Sequence, residues 1–151
     1  MGILKSFFLL FLIININFNI IAQADESSKI IFEDISLTEA IEKAQIENKL
    51  IFVDIFATWC GSCKKMKKYT YTDSTFANFM NEHFINVSYD YERGEGVEFV
   101  KNYTVDRWPS LFLMSAKGKV LNKTTGYIPP KDFLTITKII HQINFKPKKE
   151  D

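Results

Sequence analysis

The stretch Leu50-Ile-Phe-Val-Asp-Ile-Phe56 constrains this 151-residue chain more than any other. It is almost continuously apolar and β-prone, with no polar alternation. Such a strand has no face to give to water and must be covered on both sides, as inside an α/β sheet. Asp54, in the middle of the run, is the anomaly. Burying a carboxylate without a partner costs several kcal/mol, or else raises its pKa until the neutral form prevails. With apolar neighbours on either side, Asp54 is expected to be buried with an elevated pKa.

The flanking pattern supplies the cover. SLTEAIEKAQIENK, from Ser36, has capping-box spacing between Ser36 and Glu39 and places Leu37, Ile41 and Ala44 on one helical face. A helix is predicted to begin at the two cysteines and to break near 70–73. A second helix follows, opened by Asp73 or Ser74, with Phe76, Phe79 and Met80 facing inward. FINVSYD, Phe84–Asp90, alternates as a strand with Ile85, Val87 and Tyr89 on one face. An acidic loop then leads to a short helix near Val97–Tyr103, a strand at Leu111–Met114, a turn at 116–119 and a returning strand at Val120–Thr124. The last helix starts after Pro129-Pro130, with Phe133, Ile136, Ile140 and Ile143 on one side. A short leading strand at Ile30–Phe32 is a further candidate. The order predicts a mixed sheet of four to five strands with helices on both faces.

Residues 1–24 stand apart. A single charge at Lys5, an apolar run from Phe7 to Ile14 and the end Ala22-Gln23-Ala24 are the three parts of a secretory signal, cleaved after Ala24. A retained anchor is the alternative, but Asn15, Asn17 and Asn19 interrupt a run that would need about 20 apolar residues to span a bilayer. The expected organisation is a signal at 1–24, one domain at 25–145 and a charged tail at 146–151, exported to the periplasm. Loss of Lys5 takes the net charge from +1 to zero, which leaves no electrostatic case for nucleic acid.

The segment Trp59-Cys60-Gly61-Ser62-Cys63 holds both cysteines of the chain. At the start of a helix, Cys60 would meet unsatisfied N–H groups and the positive end of the helix dipole, which favour thiolate. Cys63, one turn on, could reach back and resolve a mixed disulfide. A structural bond closing so short a loop stabilises little. Zinc needs about four ligands, and only His83 and His141 could supplement the pair, without motif spacing. Redox chemistry is therefore the favoured reading over staple or metal site. His83 and His141 are read as surface or packing residues, and Lys64, Lys65, Lys67 and Lys68 as a minor positive contribution. Asp54 is the candidate acceptor for the Cys63 proton. At Trp108-Pro109, sequence alone favours a trans bond.

VDIFATWCGSCKKM resembles the thioredoxin active-site segment: a strand aspartate (Asp54), a Trp before the first cysteine (Trp59), and Cys-x-x-Cys opening a helix. The likeness extends from the Ser36 helix through RWPSLFLM to Gly126, and looks closest to exported thioredoxin-like proteins and the reducing domain of thiol:disulfide interchange proteins. It implies a thioredoxin fold, a cis Pro109 lying against the cysteines, and Trp108 backbone groups offered to a substrate strand. It also implies Cys60 as attacking and Cys63 as resolving thiol, with Trp59, Gly61, Ser62, Trp108 and Pro109 forming the substrate surface. No cofactor or metal is implied. The partners would be protein thiols and disulfides and a membrane or exported electron donor, met by a monomer acting as reductant or isomerase rather than primary oxidant. A non-turnover binding or metal-delivery module is the alternative. Three departures stand out: Gly61-Ser62 in place of Gly-Pro, Asn86 where thioredoxins carry a lysine near the buried aspartate, and Trp108 in place of a smaller aliphatic residue.

Overall fold

The computed structural model describes residues 29–145; the signal expected at 1–24 and the tail at 146–151 lie outside the described residues. Helix α1, Leu37–Glu47, opens with the capping box: Ser36 Oγ accepts from the Glu39 N–H at 3.2 Å, and the Glu39 carboxylate accepts from the Ser36 N–H at 2.8 Å. It ends where Asn48 turns left-handed at φ 53°. Strand β1, Leu50–Phe56, follows, then the short helix α2, Gly61–Lys65, which runs directly into a π-helical turn at Met66–Thr70. Helix α3, Ser74–His83, is capped by Asp73, whose Oδ1 accepts from the Phe76 N–H at 2.8 Å. Strand β2 is Phe84–Asp90, helix α4 Glu95–Asn102, strands β3 and β4 Ser110–Met114 and Val120–Thr125, and helix α5 Pro130–Asn144.

The sheet order is β2-β1-β3-β4, with β1 parallel to β2 and antiparallel to β3, and β3 antiparallel to β4. Strand alternation sorts the core into two layers. Ile51, Val53 and Ile55 join Ile85, Val87, Phe112 and Met114 on the face covered by α1 and α4. Leu50 and Phe52 join Phe84, Leu111 and Leu113 on the other face, against Met66, Tyr71, Phe76, Met80 and Phe133. Asp54 shares the parity of Phe52, so it points into this second layer, beneath α2 and the π turn.

Two expectations are corrected and a third is sharpened. Ile30–Phe32 forms no strand: Ile30 N–H donates to the Tyr71 carbonyl and Glu33 N–H to that of Asn86, too few bonds for a ladder. Ile143 does not share the buried side of α5 with Phe133; it is exposed. Asn86 shares the face of the buried aspartate but stands two residues away from Ser88, which is opposite Asp54. It lies across from Phe52, and its amide donates to Asn81 Oδ1 and the Ile31 and Met80 carbonyls at 3.3–3.5 Å, tying the 29–33 segment and α3 to the sheet edge.

Gly96 fixes the start of α4. A Cβ there would collide with the Asp90 carbonyl, so only glycine lets the helix approach the end of β2 so closely.

Candidate active site

Where β1 ends, the chain turns through Ala57 and enters α2 at Cys60. Cys60 is the N-cap, with extended backbone, and its sulfur accepts the Cys63 N–H at 3.1 Å. The two cysteines form a disulfide, with Cα atoms 5.3 Å apart. Both are buried, Cys63 at 3% exposure and Cys60 at 6%, against Ala57, Phe56, Tyr91 and Trp108. On reduction, an N–H directed at the Cys60 sulfur favours its thiolate over its thiol.

The Trp108-Pro109 bond is cis, as the thioredoxin resemblance implies and the sequence alone did not. The turn is held by Ser110 Oγ, which donates to the Arg107 carbonyl at 2.7 Å, and by the Gly126 N–H, which donates to the Pro109 carbonyl at 2.9 Å. Trp108 thereby packs on the cysteines and meets Trp59 edge-on, ring centroids 5.5 Å apart. Tyr91 lies on its other side at 4.6 Å. Trp59 is 59% exposed and its indole N–H reaches Glu92 Oε1 at 3.5 Å, whereas the Trp108 indole N–H is buried without a partner. Gly61 is exposed with open space around its Cα, and Ser62 is half-buried. Trp59, Gly61, Ser62 and Trp108 therefore border one mouth around the disulfide, and Pro109, buried next to Trp108 in the chain, sets the turn.

Asp54 is 2% exposed. Ser88, opposite it on β2, donates its hydroxyl to Asp54 Oδ2 at 3.1 Å. Burial pushes the carboxyl up to about 6, against the opposing pull of Ser88, the Lys67 ammonium and Tyr71. Tyr71 acts without a well-formed hydrogen bond, since Asp54 Oδ1 and the Tyr71 hydroxyl are both buried and unpartnered. Burial beside this carboxyl also drives the Tyr71 phenol well above its ordinary value.

The sequence assigns no role to Ser88, Tyr71, Tyr91 or Glu92, and to Lys67 only a minor positive contribution. Asn86 and Ser88 share one parity of FINVSYD, so two polar residues facing a covered side were a legible signal. Lys67 follows Cys63 by four residues, one helical turn, and its ammonium sits 3.7 Å over the Phe56 ring. Lys64, Lys65, Lys67 and Lys68 are all exposed, as expected. His83 and His141 pack on one another with ring centroids 4.3 Å apart, and among the described residues no group of three or more His, Cys, Asp or Glu comes together as metal ligands.

The family model for a thioredoxin-like domain matches residues 37–140. The chain belongs to the thioredoxin-like family. Among solved structures it is similar to a candidate disulphide-isomerase from Bacteroides thetaiotaomicron, at 36% identity and TM-score 0.68, covering 82% of this chain and 100% of that one. The oxidised C-terminal domain of Neisseria meningitidis DsbD, at 21% identity and TM-score 0.57 over 73% of this chain and 97% of that one, shares the fold. Among curated proteins it is similar to the thiol:disulfide interchange protein DsbD of Colwellia psychrerythraea, 29% identical over 69% of this chain. The chain spans 18% of that relative's length. It is also similar to thioredoxin-2 of Pyricularia oryzae, 28% identical over 70% of this chain and 57% of that protein. The Cys60–Cys63 pair lies inside the matched thioredoxin-like domain.

Proposed function

We propose that this protein is exported to the periplasm as one thioredoxin-like domain over 25–145, a monomer, and exchanges disulfides with protein cysteines there as a reductant or isomerase. The observation that carries the reading is the Cys60–Cys63 disulfide at a helix start, with the Cys63 N–H on the Cys60 sulfur and an aromatic mouth around it. The signal-like leader and the similarity to DsbD proteins support export. The electron donor is then a membrane or exported protein.

In the reductive direction, the Cys60 thiolate attacks a substrate disulfide, forming a mixed disulfide and releasing one substrate thiolate. Cys63 passes its proton to the Asp54 carboxylate. The Cys63 thiolate attacks the Cys60 sulfur, the Cys60–substrate bond breaks, and the second substrate thiolate leaves and takes a proton from solvent. Two electrons have moved from the enzyme dithiol to the substrate. A carboxyl with a pKa of about 6 is ionised enough at neutral pH to accept the proton. The substrate strand lies across Trp59, Gly61, Ser62, Trp108 and Pro109.

The Cys63→Ser protein, expressed with its leader, should accumulate mixed disulfides on Cys60 with periplasmic proteins, and the wild type should reduce insulin. A reduction potential as oxidising as about −120 mV would overturn the reductant or isomerase assignment.

A further inference from the structure

Helix α2 and the π turn bury one side, through Cys63, Met66 and Thr70, and expose the other, where Lys64, Lys65, Lys67 and Lys68 stand in a ridge. From Ile55 to Thr72 the chain has these four lysines and no acid. Several basic side chains elsewhere are matched: Lys43 with Glu33, Lys49 with Glu47, Arg93 with Asp90, Lys101 with Glu98 and Lys123 with Asp106. None of the ridge lysines forms a salt bridge among the described residues; Lys67 and Lys68 rest instead over the rings of Phe56 and Tyr69. Like charges so crowded repel one another, a strain that a partner bringing negative charge relieves.

The opposite sign gathers across the sheet. Asp90, Glu92, Glu95 and Glu98 outnumber Arg93 and Lys101 where β2 passes into α4. Met66 and Tyr71, on the ridge's buried side, belong to the core layer of α3 and α5, whereas Tyr91 and Phe99, beside the acids, belong to that of α1 and α4. The sheet therefore parts the two charges, and the cysteine mouth lies between them. Ser62 leads into the ridge on one side, and Trp59 meets Glu92 on the other. The whole chain carries only +1, so the polarity is local to the mouth.

We propose that the ridge Lys64, Lys65, Lys67 and Lys68 is a docking surface for protein partners that carry carboxylates on one flank of the disulfide they present. The acidic edge at Glu92 turns the same carboxylates away from the other flank. Charge thereby selects the partner and sets the direction in which its chain crosses the mouth. Such exposed charges act chiefly on encounter, and their effect fades with salt. The ridge begins one residue after Cys63, so whatever docks on it also meets the mouth, which favours a protein over a lipid surface. This inference names the partner of the disulfide exchange proposed above and rests on it.

The test uses the protein expressed from the full chain, reduced, with peptide disulfides that carry a run of glutamates, serines or lysines on one flank or the other. In the wild type, glutamates on one flank should raise kcat/KM about tenfold over serines at about 20 mM salt, and most of the gain should vanish at about 300 mM. Glutamates on the other flank should give no gain, and lysines on the first should slow the reaction. Lys64→Glu/Lys68→Glu should bring the glutamate-to-serine ratio to one or below. Lys117→Glu/Lys119→Glu makes the same change in net charge on exposed lysines of the β3–β4 turn, at the far end of the sheet, and should keep the ratio.

A ratio near one in the wild type, an equal gain on both flanks, or a gain that both double variants remove alike would overturn the docking role. So would a Lys64→Glu/Lys68→Glu protein slowed equally toward every peptide, since the lysines would then act on Cys60 itself. Binding to phosphatidylglycerol vesicles that the same variant abolishes, with no preference among peptides, would assign the ridge to a membrane instead. A wild type that reduces none of the peptides, serine ones included, would remove the proposed exchange and the ridge's part in it.

Discussion

The two ends of β2 carry aromatic clusters of similar density and opposite character. At its C-terminal end, Tyr91, Trp108 and Trp59 stand around a disulfide, with one ring largely exposed and one indole N–H unpartnered. At its N-terminal end, about 20 Å away along the strand, Phe84 meets Phe79 and His141, and His141 in turn meets His83 and Phe145. There the rings satisfy one another and fasten α5 to α3. Aromatic density is therefore no guide to function in this chain. What separates the ends is the presence of the cysteine pair.

Substitutions should divide the same way. The largest effect belongs to Cys60→Ser, which should lower insulin-disulfide reduction by about 10³-fold or more, while calorimetry shows a stability loss of about 2 kcal/mol or less, because the closed loop is short. Asp54→Asn comes next, with effects of opposite sign on activity and stability. In the folded protein Asp54 holds its proton up to about pH 6, above its unfolded value, so folding is weakened as pH rises from about 4 to 6 and stays weakened beyond. Removing the charge should raise stability at pH 7 by up to about 3 kcal/mol, as denaturant melts would show, and slow mixed-disulfide resolution. A destabilised Asp54→Asn at pH 7 would mean that the carboxylate is better solvated than its burial indicates.

Trp108→Ala should cost about tenfold in kcat/KM toward a peptide disulfide, whereas His141→Ala at the other end should leave that ratio unchanged. The smallest effect is the histidine pair's own. Burial, and then the charge of His83, hold His141 below its ordinary pKa. Its contribution to stability is therefore complete above about pH 6.5 and falls as pH drops through that value. In an Asp54→Asn background, which removes the opposing carboxyl titration, Tm should decline from pH 7 to 5, and His141→Phe should flatten the decline.

Local pattern made most of this molecule legible. The apolar run of β1, the capping box at Ser36 and Asp73 before α3 each encode their element within a few residues, and Cys60 and Cys63 announce themselves by spacing. What stayed hidden depends on partners distant in the chain. Strand register places Ser88, not Asn86, opposite Asp54, and no window around either residue carries that information. The π turn at Met66–Thr70 sets Lys67 and Tyr71 beside the carboxylate, where a plain helical reading left Lys67 among solvated lysines. Ile143 fits the apolar stripe of α5 by periodicity, yet is 61% exposed, three residues beyond the half-buried Ile140.

Gly96 gives the mouth a property that no ring in it has alone. With α4 pressed against the Asp90 carbonyl, the Tyr91 N–H bonded to the Phe56 carbonyl at 3.0 Å and the Gly96 N–H bonded to that of Arg93 at 3.1 Å, the loop carrying Tyr91 is anchored at both ends. The wall against Trp108 is thus built before any partner arrives, and little conformational entropy is lost on that side at docking. The adapting falls to the substrate, so chains already loose around their disulfides should be taken first, a kinetic preference for the incompletely folded.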